Sequence, residues 1–172
     1  MRYIVFHLSV TSFDDGTPAE KSETIALGAV EMPSPRVSPT ARYETPIRPM
    51  AFPILSEVCR KRTGLTQQDV DRARPFYLAF REFLEWLGPE PFVPCGWGNY
   101  DLSQLQRECE THKIRLPADF DKWVNLKQSY SGRWKRPPTG LSAALREREF
   151  PAPRGGALES ACAVARLARE LL

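Results

Sequence analysis

The hydrophobic period of this chain first changes near Pro53, and that change constrains the fold more than any other feature. Before it lie three runs of strand character: Arg2 to Leu8 (RYIVFHL), Glu23 to Glu31 (ETIALGAVE) and Ala41 to Ile47 (ARYETPI). They are β-branched and aromatic, and the polar stretches between them predict an antiparallel meander. After it, Ile54, Leu55 and Val58 recur at helical spacing, and Phe76, Phe80, Phe83, Leu84 and Leu87 form an apolar stripe that starts at Pro75, a good first-turn residue. Phe92 to Trp97 returns to strand character, Leu102 to Glu110 to helix, Trp123 to Leu126 to a short strand, and Ala157 to Leu172 to an amphipathic closing helix. Strands first and alternation afterwards predict an α/β fold: a mixed sheet, three antiparallel strands then parallel ones, flanked by helices.

Composition sets the bounds. With 172 residues and 42% apolar content, one domain spanning 1–172 is expected. Sixteen prolines fall in clusters between the patterned segments, where they punctuate elements. A net charge of +3 permits a nucleic-acid partner without requiring one. Cys59, Cys95, Cys109 and Cys162 form no CxxC pair, which excludes the common zinc spacings and reads as reduced, partly buried thiols. No apolar run approaches 18 residues and no secretory leader is visible, so a cytoplasmic protein without a membrane role is expected.

Five ordered blocks carry a resemblance. Tyr3-Ile4-Val5; Glu23-Thr24-Ile25-Ala26-Leu27-Gly28-Ala29-Val30; Arg48-Pro49 with Pro53 and Leu55-Ser56; Thr63-Gly64-Leu65-Thr66-Gln67 with Val70-Asp71, Ala73 and Phe76; and Cys95-Gly96-Trp97-Gly98-Asn99-Tyr100-Asp101 follow one another at family spacing. The chain resembles the DnaQ-like DEDDh 3′-5′ exonucleases of the ribonuclease-H-like fold, in the branch of short-interfering-RNA and histone-mRNA-trimming exoribonucleases and their KapD-like relatives. The resemblance implies phosphodiester hydrolysis by two magnesium ions on four carboxylates, with a histidine as general base. Hard cations held a few ångströms apart need clustered anionic oxygens, which is the physical reason for the carboxylates.

Laid on this sequence, the family pattern puts the first two carboxylates at His7 and Ser9, the third at Asp101, the base at Gly155 and the last carboxylate at Ser160. One of five positions keeps the required chemistry. One carboxylate cannot neutralise two divalent ions, and a histidine nitrogen suits softer metals. Asp101 is therefore expected as a helix N-cap or inherited residue, at most a weak single-ion ligand, and His7 as a hydrogen-bonded strand histidine. No cofactor is expected, with magnesium or manganese relevant only to residual activity.

The groove itself remains. The resemblance implies that Leu8 and Tyr100 stack on terminal bases, and Arg133, Lys135 and Arg136 around Trp134, with Arg154, are cations expected near the cleft. The plainer reading of Arg133–Arg136 is a solvated loop with its tryptophan tucked inward. The first functional expectation is an inactive exonuclease-fold protein that binds single-stranded RNA or DNA, or its ends. The second is a protein-interaction module, such as a homodimer, and the third a nuclease with a rearranged site.

Overall fold

The computed structural model describes residues 1–172. Its strands are β1 (Arg2–Val10), β2 (Thr24–Met32), β3 (Ala41–Arg48), β4 (Arg74–Pro75), β5 (Phe92–Gly96) and β6 (Val124–Asn125). Its α-helices are α1 (Glu57–Thr63), α2 (Gln67–Asp71), α3 (Phe76–Leu87), α4 (Tyr100–Thr111), α5 (Leu126–Trp134), α6 (Leu141–Glu147) and α7 (Ala157–Leu171). The strands form one sheet in the order β4-β3-β2-β1-β5-β6. The β1–β2 and β2–β3 pairs are antiparallel, whereas β5 joins β1, and β6 joins β5, in parallel. The mixed sheet and its helical layers are those expected from the change of period.

Alternation along β1 sorts its side chains between two layers. Ile4, Phe6 and Leu8 enter a core with Phe76, Phe80 and Phe83 of α3 and Leu105 and Cys109 of α4. Val5 faces the other way, under Val164, Ala165 and Ala168 of α7. Phe6 is the hub of the first layer, its ring 5.7 Å from Phe120 and 5.2 Å from Trp123. Each such ring, fully buried, contributes roughly 1.5–3 kcal/mol. His7 and Ser9 share the parity of Val5, so the end of β1 turns them toward α7.

The closeness of α7 depends on Gly28. A Cβ there would fall inside the backbone of Ala157 and Leu158, so only glycine lets the first turn of α7 rest on β2. His7 pairs with Gly28 across β1 and β2, which brings the N-terminus of α7 over the end of β1.

Several boundaries differ from expectation. Ile54 and Val58 are 77% and 46% exposed, and α1 starts later, at Glu57, capped by the Ser56 hydroxyl accepting from the Cys59 amide at 3.0 Å. The segment around Trp134 is the end of a helix, because Leu126, Tyr130 and Trp134 recur every four residues. A second helix, α6, was hidden by its shortness, between prolines, with Ala144 and Leu145 as its buried residues. All four cysteines are free, and burial pushes the thiols of Cys95 and Cys109 up to about 12, that of Cys109 also through Glu108 and Glu110. No helix is long and apolar enough to cross a membrane.

Candidate nucleic-acid interface

Strand β1 outruns its neighbour. Its pairing with β5 stops at Val5 and Cys95, and the chain leaves the sheet through Trp97 and Gly98 before turning back as α4. Beyond that point the Leu8 amide has no strand acceptor on the β5 side. Asp101 supplies one: its Oδ1 accepts from the Leu8 N–H at 3.1 Å, and its Oδ2 lies 3.3 Å from His7 Nδ1. The expected N-cap role is therefore corrected. Because α4 begins at Tyr100, Asp101 sits in its first turn, 5% exposed, and ties that turn to β1.

A cavity of about 460 Å³ opens over this end of the sheet. Its wall brings together His7, Ser9, Gly155, Ser160 and Tyr100, five residues that the sequence singled out from three distant segments. A register shift between Ser9 and Val10 breaks the alternation of β1, so that Ser9, Val10, Thr11 and Ser12 all line it in succession. Arg62, Thr63, Thr17 and Ser22 complete a wall rich in hydroxyls. Sequence reasoning missed these residues; the one available signal was the basic run Arg60-Lys61-Arg62 just before the Thr63-Gly64 turn. Gly155 and Gly156, at φ of 115° and 86°, lead the chain into α7, and Ser160 lies in the first turns of that helix.

No carboxylate lines this cavity. The neighbouring acids turn elsewhere: Glu159 accepts from the Arg154 amide at 2.6 Å, and Asp15 accepts from Thr17, whose hydrogen bonds hold its carboxyl below the usual range. No group of three or more His, Cys, Asp or Glu side chains is placed to hold a metal ion. Of the other acids nearby, Asp101 is occupied by the Leu8 amide and His7, and Glu44, beside Gly156, accepts from the Leu158 amide at 3.4 Å. This donor set does not fit the pair of magnesium ions that the family resemblance implies.

Two further expectations change. Leu8 touches the cavity wall but is 2% exposed, its side chain packed in the α3–α4 core, and of the two rings on the wall Tyr100 is 48% exposed whereas Phe13 packs edge-on against Phe52 at 4.8 Å. Arg154 adjoins Gly155 in the chain but is not part of the cavity wall, and neither are Arg133, Trp134, Lys135 and Arg136. Arg133 and Trp134 line a different cavity, together with Arg169 and Leu172 at the far end of α7. Leu172 is sixteen residues from Gly156, or about 24 Å along a helix. Arg136 is bound to Glu147 at 2.6 Å.

Comparison with known proteins places this geometry. The model of the family RNase_T, described as exonuclease, matches residues 10–152. His7 and Ser9 precede that stretch and Gly155 and Ser160 follow it, whereas Asp101 lies within it. ERI1 exoribonuclease 2 of Homo sapiens is 27% identical over 166 residues, covering 84% of this chain and 24% of that protein. The 3′-5′ exoribonuclease 1 of Rattus norvegicus is 28% identical over 132 residues, covering 72% of this chain and 38% of that protein. The chain thus spans about a quarter to two fifths of the length of these curated relatives. Among solved structures, the nuclease domain of 3′hExo, a DEDDh family member bound to rAMP, superposes with a TM-score of 0.90 at 23% identity, covering 98% of this chain and 90% of that one. Cell-death related nuclease 4 gives 0.87 at 19%, covering 98% and 62%.

Proposed function

On the premise that this chain belongs to the exonuclease family RNase_T, we propose that it holds a single strand of RNA or DNA by its end, without metal and without cutting it. The observation that carries this reading is the carboxylate-free cavity at the place where the family resemblance calls for a carboxylate cluster. Four clustered acids without metal repel phosphate. Here the same position offers the hydroxyls of Ser9, Thr11, Ser12 and Ser160, the imidazole of His7 and the guanidinium of Arg62. Hydroxyls both donate and accept hydrogen bonds, and a guanidinium suits phosphate oxygens. The N-terminus of the fifteen-residue α7 lies at this end, where the Leu158 amide is already taken by the Glu44 carboxylate at 3.4 Å, so the helix end adds little positive charge. Tyr100 supplies the stacking face for a terminal base, an interaction of about 1–3 kcal/mol.

The chemistry of cutting lacks its parts. A base must lie within hydrogen-bond reach of the attacking water, and the family's base position is Gly155. His7 is the nearest candidate, but its Nδ1 is engaged with Asp101 and no carboxylate array stands beside it. Reduced, buried cysteines favour a cytoplasmic setting, and residues 1–172 act as one domain in this reading. A protein partner is the second reading, favoured by the exposed side chains of Met50 and Ile54 between β3 and α1 and of Val58 on α1.

The test is anisotropy of a labelled short single strand in EDTA, beside a hydrolysis assay in magnesium and in manganese. Binding without metal and no release of mononucleotides are expected. Metal-dependent release that disappears in Asp101→Asn would sink the reading, and absence of binding at low salt would leave the protein-partner reading standing alone.

A further inference from the structure

The second cavity, of about 320 Å³, lies at the opposite end of α7 from the first. Four arginines from four separate segments meet there: Arg36 of the β2–β3 loop, Arg133 of α5, Arg148 at the end of α6 and Arg169 of α7. One carboxylate accompanies them, Glu170, and it is taken by Arg148 at 2.9 Å. Arg36, Arg133 and Arg169 have no acidic partner.

Helix C-termini attract cations, which accounts for Arg133 and Arg169 lying in last turns. It does not account for their facing one concavity with Arg36. Like charges gathered there repel one another, yet the cluster is held by the fold. Trp134 carries the Arg148 guanidinium at 4.9 Å and that of Arg133 at 5.6 Å from its ring centre, while Tyr130 packs on it at 4.6 Å. The ring is thus a support for cations and is not free to stack on a base. Arg169 reaches the Arg36 carbonyl at 3.5 Å, which keeps those two side by side.

From this arrangement we infer a second anion site that binds the phosphodiester backbone of a nucleic-acid strand, separate from the cavity at the end of β1 and independent of what that cavity does. Arginine presents a planar fork of donors that matches phosphate oxygens two at a time, and the three unpaired forks fit successive phosphates better than a lone carboxylate. The site reads no base, because nothing in it offers a free ring. It holds the body of a strand, not its end.

The experiment compares the wild-type chain with R36Q/R133Q/R169Q, three exposed changes that leave the core untouched, and with Tyr100→Ala. A twenty-nucleotide single strand, sodium tripolyphosphate and a poly-glutamate peptide serve as probes. The triple variant is expected to bind the strand about tenfold more weakly at low salt, with its log-affinity against log-salt slope shallower by about 2, at 0.7 per phosphate contact. Tyr100→Ala keeps the wild-type slope. Equal affinity and slope in the triple variant overturn the site while leaving the first cavity's reading intact. Loss confined to the triple variant supports this site and tells against that cavity. If the triple variant loses only tripolyphosphate, the site takes small phosphates and the strand proposal fails. It also fails if poly-glutamate binds with the same affinity and the same arginine dependence.

Discussion

The two ends of α7 meet two cavities of opposite construction. The N-terminal end stands over hydroxyls, a histidine and backbone turns, with one guanidinium at its wall; the C-terminal end stands among four guanidinium groups and one carboxylate. The first was assembled around side chains that the family pattern places at a reacting centre, and its character comes from what those positions now lack. The second owes nothing to that pattern. One end's wall carries no carboxylate, and the other is rich in guanidinium groups.

The largest test of this contrast concerns how the first end is built. Gly28→Ala must push α7 away from β2, and is expected to lower unfolding stability by about 3 kcal/mol, the upper part of the range for overpacking. Urea denaturation measures it; an unchanged midpoint would mean that α7 does not rest on the sheet there. Next comes restoring charge. His7→Asp, Ser9→Glu and Ser160→Asp together put acids back beside Asp101, and metal-free affinity for a short strand is expected to fall by about tenfold, or 1.4 kcal/mol. Anisotropy in EDTA reads this, and an unaltered affinity would show that neutralisation is not what makes the cavity hospitable. Tyr100→Ala should cost somewhat less, about 1 kcal/mol at the low end of base stacking, without change in salt slope.

A last test lies away from both ends. The thiols of Cys95 and Cys109 titrate near 9 when unfolded and are pushed up to about 12 in the fold. The folded chain therefore holds these protons more tightly, and the associated stability is complete below pH 9 and declines between pH 9 and about 12. Urea midpoints across that range should fall, and the fall should be shallower in Cys95→Ala. A profile identical to wild type would show that the thiol is not shielded.

Much of the first end was legible in the sequence, and the reason is register. Once Tyr3-Ile4-Val5 is anchored, period-two alternation places His7 and Ser9 on one face, and the gap-free count from Phe150 places Gly155 and Ser160; the fold brings all four to one wall. The same alternation sends the Leu8 side chain into the α3–α4 core, so that it meets the cavity only as part of its wall. Asp101 looked like a cap because its acceptor task, the Leu8 amide, is ninety-three residues away in the chain. The second end was illegible. A run of cations around Trp134 says nothing about which way its helix runs, and Arg36, Arg148 and Arg169 join it only through tertiary packing.

Asp101 has one more implication. Its carboxylate replaces a missing strand carbonyl at the point where β1 loses its neighbour, so the sheet itself depends on it. Of the five positions that the family resemblance assigns to a reacting centre, the one that holds an acid is the one that the backbone has a use for.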